Sequence, residues 1–472
     1  MKKVAPVSNV TAKFGGTSLA TASQCIKVKD IILSSPLRKY IVVSAPGKAH
    51  AGDEKITDIL INISNSIKEN KDWKILWEKV TNRFLNIVSE LGLSLSFENT
   101  LTEVETAIQL NPYHDYIVSR GEYLQAKVMT ALFKTLGHSA EFIDAADCIF
   151  FNASGAIDYK RTSKAIQKSC NSKSYFIFPG FYGTDVHGKV RAFSRGGSDI
   201  TGALVACALN TTVYENWTDV SGFYTADPRN VPNAHSIREM TYQEARALSY
   251  AGATVLHQET VAYLVKNGIS VNIRNTNIPT DAGTAIVANR PIKGNVVGIA
   301  GKKDFVIFTI EKMMMNDEVG LGRKLLSIFE KAGIPYDHQV TGIDTISLVI
   351  DKTKIPDYTA LTDNNLIEKL GTVISKMIKP DKITVLDNVA AITTVVQHID
   401  GGVNWLGKLS QALESKGIHA YISSQEVTGQ MISVIDSKHL PLALRSIHDI
   451  FFENTDITSN NHHNELQHHF NN

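Results

Sequence analysis

The sequence predicts an α/β protein: an N-terminal region built around a mainly parallel sheet, followed by two smaller βαββαβ units. Strand-like and helix-like stretches alternate from residue 13 to about residue 288, which is typical of a parallel sheet with crossover helices. After a break at residues 291–294 the pattern changes to two similar βαββα successions, which indicates a diverged internal repeat. At 472 residues the chain is long enough for two or three domains.

The N-terminal region carries the clearest alternation. We predict strands at residues 40–44 and 175–178, an extended stretch at 212–217, and helices at 115–136 and 199–209. In such sheets, ligands bind at the carboxyl ends of the strands. The residues at the predicted carboxyl ends are Lys13, Ser44, Gly180 and Thr218.

The two C-terminal copies follow the same order of elements. The first is predicted to contain a strand at 305–310, a helix at 320–331, strands at 336–340 and 346–350, a helix at 366–378 and a closing strand at 383–386. The second is predicted to contain a strand at 391–396, a helix at 403–416, strands at 419–423 and 431–435, and a helix at 440–452. Because the second copy lacks a closing strand, we expect the spare strand at 296–300 to complete it, which inserts the first copy within the second.

These patterns predict the domain boundaries. The predicted parts are an N-terminal domain at 1–290, a linker and completing strand at 291–303, repeats at 304–387 and 388–455, and a disordered polar tail at 456–472.

Composition excludes several classes of partner. The net charge is +1 and no basic block is interleaved with aromatic residues, so we expect no nucleic-acid binding. We find no apolar signal core and no long uncharged apolar run, so we expect no membrane span and a cytoplasmic protein. The four cysteines are scattered without a CxxC pair, which is typical of reduced structural thiols.

The first chemical motif is a glycine turn after a β-prone run. The run ends at Lys13, Gly15 and Gly16 follow, and Thr17 and Ser18 are predicted to cap the next helix. Such a turn directs backbone N–H groups and the positive helix end towards an anion. The alternative is an ordinary βα turn with a lysine in solvent. It is not a Walker A loop, because the lysine precedes the glycines.

A second glycine turn, at residues 195–199, carries an arginine. The Arg195 guanidinium suits a carboxylate because it donates two parallel hydrogen bonds. Asp199 is predicted either to cap the following helix or to hold Lys13 in position. Two anion-binding turns in one α/β domain favour phosphate chemistry.

Two further features are ambiguous from the residues alone. Glu122 is either a solvated residue of a helix face or a carboxylate that binds an ammonium group. The polar loop from Trp217 to Arg229 is either a turn cluster or a set of nucleotide contacts.

Five motifs in this order resemble the aspartokinases of the amino acid kinase superfamily: KFGGTS at 13–18, VSAP at 43–46, SRGE at 119–122, RGGSD at 195–199 and WTDVSGFYTADPR at 217–229. The paired repeats resemble the tandem ACT regulatory domains of that family. The resemblance implies an amino-acid-kinase-type α/β sandwich. It also implies MgATP-dependent phosphorylation of the side-chain carboxylate of L-aspartate to 4-phospho-L-aspartate, the first step toward lysine, threonine and methionine.

The resemblance also implies roles for single residues. Lys13 and the turn formed by Phe14, Gly15, Gly16, Thr17 and Ser18 would contact the ATP phosphates, and Asp199 would orient Lys13. Glu122 would bind the α-ammonium of aspartate and Arg195 its α-carboxylate, with further substrate contacts from Ser44, Thr57, Gly196, Gly197 and Ser198. The nucleotide site would include Thr218, Asp219, Tyr224 and Arg229. No metal ligands from the protein are expected, since Mg²⁺ enters with ATP.

One position departs from the family pattern. Many aspartokinases carry a lysine in a Gly-Ala-Lys-Val-Leu-His-Pro stretch, where this chain has Thr254. Lys266 could replace the missing cation. The loop at 46–55 and the stretch at 272–277 resemble a single-function subgroup in which that lysine is commonly absent.

The repeats are expected to bind an effector. ACT-like units commonly pair edge to edge, so we predict a homodimer or higher homo-oligomer that binds an end-product amino acid, most simply lysine. The expected effector residues are Met315, Asp317, Gly320, Asp337 and Thr341. The alternative is that Asp317 and Asp337 only cap a helix and a strand end. Two other functions stay open at this point: a kinase for another acidic amino acid, and an inactive amino-acid sensor.

Overall fold

The computed structural model describes residues 9–93, 97–194, 196–253, 258–291, 296–355, 365–397, 404–426 and 428–453. The chain divides into two compact units. The first contains Met1–Phe223, Ser236–Arg246 and Thr254–Pro291, and the second contains Tyr224–His235, Ala247–Ala253 and Ile292–Asn472. The predicted tail at 456–472 lies outside the described residues.

The first unit alternates strands and helices, as its sequence pattern indicates. Its strands are β1 Val10–Phe14, β2 Arg38–Val43, β3 Ala140–Phe142, β4 Tyr175–Pro179, β5 Tyr182–Thr184, β6 Val190–Ala192, β7 Val213–Thr218, β8 Glu239–Thr241, β9 Ser270–Asn275 and β10 Thr284–Val287. Its helices are α1 Ala22–Leu33, α2 Ile56–Lys68, α3 Lys74–Glu90, α4 Phe97–Leu110, α5 His114–Thr135, α6 Ala145–Cys148, α7 Tyr159–Ser169, α8 Gly197–Ala208, α9 Tyr242–Tyr250 and α10 Gln258–Lys266. The division between the units runs through α9.

An eight-stranded sheet forms the centre of the first unit, in the order β3-β4-β2-β1-β7-β9-β10-β8. All neighbouring pairs are parallel except β9 and β10. The predicted fold class, a mainly parallel α/β sheet, is therefore confirmed for this unit.

The register brings the carboxyl ends of the central strands to one edge. Phe14 lies opposite both Val43 on β2 and Trp217 on β7, and Val43 lies opposite Pro179 on β4. The loops that follow β1, β2, β4 and β7 therefore start at the same end of the sheet, which is where ligands of parallel sheets bind.

The second unit contains strands β11 Val296–Glu311, β12 His338–Thr341, β13 Thr345–Asp351, β14 Lys382–Val396, β15 Ala420–Gln425 and β16 Gln430–Asp436. Its helices are α11 Leu321–Lys331, α12 Asn365–Ile378, α13 Trp405–Glu414 and α14 Leu440–His448. The helix predicted at 440–452 ends earlier, because a π-helical turn, Asp449–Glu453, follows α14.

The strands of the two repeats join into one six-stranded sheet, in the order β12-β13-β11-β14-β16-β15. We predicted separate strands at 296–300 and 305–310, and at 383–386 and 391–396, but each pair is one long strand. Residues with positive φ, Asp304 on β11 and Asn388 on β14, lie where the two predicted strands of each pair meet. The register between β11 and β14 shifts next to Asp304, as at a β-bulge.

Each half of this sheet has its own apolar core. Phe308, Leu325 and Ile374 belong to the first repeat's core, and Trp405 and Leu409 belong to the second. The β11 segment that begins at Val296 pairs with the β14 segment that ends at Val396, beside the second core. Among the described residues, no helix is both long enough and apolar enough to cross a membrane.

Candidate active site at the carboxyl edge of the parallel sheet

Lys13 is the fourth residue of β1 and its side chain is buried, with 10% of its surface exposed. Its Nζ lies 2.6 Å from Asp199 Oδ1 on α8 and donates to Asn216 Oδ1 on β7 at 3.2 Å. The alternative of a lysine in solvent is therefore wrong. Asp199 is not the helix cap either, since the N-cap residue of α8 is Gly196.

Asn216 was missed by the sequence analysis. It lies directly opposite Lys13 in the parallel register and is 1% exposed. The available signal was a run of polar residues, Glu215 and Asn216, inside a strand whose neighbours are apolar. A polar side chain buried in a core strand requires a partner, and here the partner is Lys13.

Glu215, the residue before Asn216 on β7, is the centre of a second buried network. Its carboxylate accepts from Arg38 at 2.6 and 3.0 Å and from the Trp217 indole N–H at 2.8 Å, and Arg274 lies 3.6 Å away. The Arg274 guanidinium also lies 4.6 Å from the centre of the Trp217 ring. This buried, paired network fixes the strand that presents Asn216.

The first glycine turn differs in detail from the prediction. Gly15 N–H donates to Trp217 O at 2.9 Å, so the protein itself uses that amide. Residues Gly16–Leu19 form a short 3-10 turn, and Thr21, rather than Thr17 or Ser18, caps α1 by accepting from Gln24 N–H.

The prediction placed the caps too early because two extra residues separate the 3-10 turn from α1. Ser18 instead bonds through its hydroxyl to the Thr276 hydroxyl at 2.8 Å, and Thr17 is exposed.

Gly16 and Gly47 pack backbone to backbone. Gly47 N–H donates to Gly16 O at 2.8 Å. A Cβ at Gly16 would lie 2.9 Å from Ala45 O, and one at Gly47 would lie 2.7 Å from the Gly16 carbonyl carbon, so neither position accepts a side chain. The loop after β2 is thus held against the turn after β1. Arg83 on α3 secures this loop by donating to Gly47 O and to the Asp53 carboxylate.

The second glycine turn leads directly into α8. Gly196 has a φ of +59°, a left-handed conformation that favours glycine. Gly197 and Ser198 form the first turn of the helix, and Ser198 packs against Gly180 after β4. Arg195 lies outside the described residues.

Glu122 is buried in α5, with 4% of its surface exposed, so the alternative of a solvated helix face is wrong. Its carboxylate accepts from the Ala45 N–H, but Oε2 has no hydrogen-bond partner among the described residues. Burial raises the pKa of Glu122 to about 8. A buried carboxylate oxygen without a partner is suited to binding a cationic group such as an ammonium.

Ser44 and Thr57 lie on either side of the loop after β2. Ser44 follows β2 and its N–H donates to Phe14 O at 3.1 Å, which places it beside the end of β1. Thr57 is half-buried in the first turn of α2.

The predicted nucleotide residues fall into both units. The Thr218 hydroxyl, at the end of β7, donates to the Asp219 carboxylate at 3.2 Å. Tyr224 and Arg229 belong to the second unit, where the Arg229 guanidinium pairs with Asp227. Thr254 lies outside the described residues, and Lys266 is exposed in the last turn of α10.

Residues 10–275 match the family model described as "Amino acid kinase family". Aspartokinase 3 of Bacillus subtilis strain 168 is 36% identical over 423 residues, covering 88% of this chain and 92% of the relative.

The chain belongs to the aspartokinases of the amino acid kinase family.

Two more relatives agree with this assignment. The crystal structure of Clostridium acetobutylicum aspartate kinase, described as an allosteric enzyme, superposes with a TM-score of 0.87 at 39% identity, covering 94% of this chain and 100% of that one. The lysine-sensitive aspartokinase 3 of Escherichia coli strain K12 is 27% identical, covering 73% of this chain and 78% of the relative. This aspartokinase is thus an enzyme of amino-acid biosynthesis that phosphorylates aspartate. The predicted family, fold and enzyme class are confirmed.

The expected effector residues of this aspartokinase lie around the start of α11 and along β12. Met315 is buried in the first repeat's core, whereas Asp317 is exposed in a 3-10 turn. Gly320 caps α11 with a φ of +83°, and Thr341 is exposed at the end of β12. Asp337 precedes β12, and its carboxylate is already bonded within the protein, since Oδ2 accepts from Asp351 N–H at 3.1 Å.

Proposed function

We propose that the carboxyl edge of the parallel sheet is the phosphoryl-transfer site of this aspartokinase. MgATP would bind over the first glycine turn, and aspartate would bind between Glu122 and the second glycine turn. The observation that carries this proposal is the buried Lys13 ammonium, placed at that edge by Asp199 and Asn216. The reaction would transfer the γ-phosphoryl group to the side-chain carboxylate and yield 4-phospho-L-aspartate.

Lys13 would stabilise the negative charge that grows between the β- and γ-phosphates. Phosphoryl transfer depends on positioning and charge stabilisation more than on covalent catalysis. One carboxylate and one neutral amide hold the Lys13 ammonium, so the cation is fixed in place without being surrounded by negative charge.

The backbone amides have divided roles. Gly15 N–H is bonded to Trp217 O and is therefore not free for a ligand. We assign the phosphate contacts to the amides of Gly16 and Thr17, at the start of the 3-10 helix. Phe14, which stacks on Trp217 with ring centres 6.0 Å apart, and Ser18, bonded to Thr276, would support this turn from behind.

Aspartate would bind by its two α-groups. Its α-ammonium would pair with Glu122 Oε2 and its α-carboxylate with Arg195, while the amides of Gly196, Gly197 and Ser198 and the hydroxyls of Ser44 and Thr57 would complete the site. The attacking carboxylate is already ionised at neutral pH, so the reaction needs no general base.

ATP would extend from the phosphates towards the loop after β7. Thr218, Asp219, Tyr224 and Arg229 are assigned to the nucleotide. Asp199, the carboxylate beside Lys13, is engaged by the ammonium, so we assign no metal ligand to the protein and propose that Mg²⁺ enters with ATP. We also propose a cytoplasmic location.

The first prediction concerns Lys13. Lys13→Ala should lower kcat by at least ~100-fold, because it removes the charge that acts on the transition state. Steady-state ADP release measures this, with circular dichroism to confirm folding. Lys71→Ala, which removes an exposed lysine paired with Glu69, is the control and should retain wild-type turnover. Near-normal turnover of folded Lys13→Ala would rule out this site.

The second prediction concerns Glu122. Because the pKa of its carboxyl is raised to about 8 by burial, Glu122 is mostly protonated at neutral pH until an ammonium binds. The apparent KM for aspartate should therefore fall as the pH rises towards about 8. Glu122→Gln should raise this KM by roughly 10- to 100-fold, corresponding to the loss of a charge-assisted contact, and should abolish its pH dependence in that range.

The same shift affects stability. The folded state holds the Glu122 proton more tightly than the unfolded state. This contribution to the free energy of unfolding is therefore fully present below about 4.5, declines as the pH rises, and is lost by about 8. The control is Glu90→Gln, at an exposed glutamate. It should change neither the pH dependence of the KM for aspartate nor that of the free energy of unfolding. If Glu122→Gln raised the KM for ATP by the same factor as the KM for aspartate, the assignment of Glu122 to the aspartate site would be contradicted.

We further propose that the repeats bind lysine and inhibit the kinase through a homodimer or higher homo-oligomer. The name of the lysine-sensitive relative supports this effector, and the exposed residues of the edge strands β12 and β15 suit edge-to-edge pairing. The effector residues we assign are Met315, Asp317, Gly320, Asp337 and Thr341.

The third prediction is reciprocal coupling between substrate and effector. Since an inhibitor must bind one global state better than the other, saturating aspartate and a nucleotide analogue should weaken lysine binding. Calorimetric titration of lysine, threonine and methionine, with and without these ligands, measures the coupling. Lysine affinity that is indifferent to the substrates would leave the repeats without a regulatory role.

A further inference from the structure

The carboxylate of Asp337 already holds an internal ammonium group. Lys354 Nζ lies 2.6 Å from Asp337 Oδ1, within the second unit. The Asp337 side chain is only 1% exposed, whereas that of Lys354 is 35% exposed. The carboxylate is therefore shielded, and the ammonium group that covers it comes from the solvent side.

The Asp337 carboxylate also accepts two further hydrogen bonds from within the protein. The Tyr250 hydroxyl donates to Oδ1, and the Asp351 N–H donates to Oδ2 at 3.1 Å. Lys354 in turn donates to the Tyr250 hydroxyl at 3.1 Å and lies 4.6 Å from the centre of the Tyr250 ring. Three side chains thus form a closed cluster: Asp337, Lys354 and Tyr250.

The charges around this cluster are balanced. Asp351, whose side chain is also 1% exposed, pairs with Lys302 and lies 3.7 Å from Lys354. Two ammonium groups therefore face two shielded carboxylates. A cationic ligand that approached Asp337 would come close to the Lys354 ammonium, and the two positive charges would repel each other.

We propose that Lys354 is an internal competitor for Asp337, which a cationic amino-acid effector must displace in order to bind there. This inference rests on the proposed assignment of Asp337 to the effector site. The ε-ammonium of lysine has the same chemistry as the Lys354 Nζ, so the two groups exclude each other at one carboxylate. Lys354 thereby lowers the affinity of the site for cationic effectors.

Tyr250 links this exchange to the rest of the chain. It is the last residue of α9 and precedes Thr254 by four positions. Displacement of Lys354 removes a hydrogen-bond donor from the Tyr250 hydroxyl, so effector binding changes the contacts at the end of α9.

The test is a calorimetric titration of the full-length enzyme with L-lysine. Lys354→Met removes the competing cation at similar side-chain length, and it should bind lysine at least ~10-fold more tightly than the wild type. L-norleucine, which lacks the ε-ammonium, should show no such gain. Lys382→Met, which removes a 64%-exposed lysine paired with Glu311, is the matched control and should bind lysine within about twofold of the wild type.

Two more variants guard against misfolding of Lys354→Met, which leaves a shielded carboxylate unpaired. Lys354→Gln keeps a hydrogen-bond donor and should show most of the gain, whereas Lys354→Arg keeps the charge and should not. Lysine should also raise the melting temperature of Lys354→Met more than that of the wild type.

The outcomes separate this inference from the effector assignment. Equal lysine affinity of the wild type, Lys354→Met and Lys354→Gln would overturn the competition while leaving lysine as the effector. Weaker binding by Lys354→Met would also overturn it, since Lys354 would then assist the effector. The absence of lysine binding in every variant would overturn both.

Discussion

The candidate active site of this aspartokinase is organised around one buried cation, the Lys13 ammonium. Lys13 reaches the carboxyl edge of the sheet only because β1 is a central strand with β7 beside it, and because α8 begins there with Asp199 in its first turn. Each neighbouring feature serves this placement. The Glu215 network fixes β7, and Gly15 N–H ties the turn after β1 to the Trp217 carbonyl.

This edge of the sheet holds a buried ammonium and a buried carboxyl whose pKa is raised by burial. Lys13 is a cation held by protein groups, whereas Glu122 is a buried carboxyl with an oxygen that has no partner among the described residues. Phosphates complement the first and the ammonium of an amino acid complements the second. In the proposed site, binding of the amino-acid ammonium would offset the cost of burying the Glu122 carboxyl.

Sequence patterns predicted much of this arrangement because its main parts are local. The glycine turns and the alternation of strands and helices came from short motifs. The Lys13–Asp199 pair joins distant parts of the chain, and the sequence offered it only as one of two alternatives. Asn216 and the Lys354–Asp337 pair were not predicted, because partners that lie on or beside neighbouring strands depend on register. The continuity of β11 was missed for a different reason, because the polar stretch around Asp304 resembles a loop. The domain boundaries and the roles of the site residues stay predictions, and Arg195 and Thr254 lie outside the described residues.

The most direct test of the account measures kcat of Asn216→Asp. The new side chain at position 216 has the shape of asparagine and keeps an oxygen beside Lys13. It adds a second negative charge next to the Lys13 ammonium. If Lys13 acts through its positive charge on the phosphates, kcat of the folded variant should fall by more than ~10-fold, while the KM for aspartate changes little. A folded Asn216→Asp enzyme with wild-type kcat would contradict the account, because the charge balance at Lys13 would then have no part in catalysis.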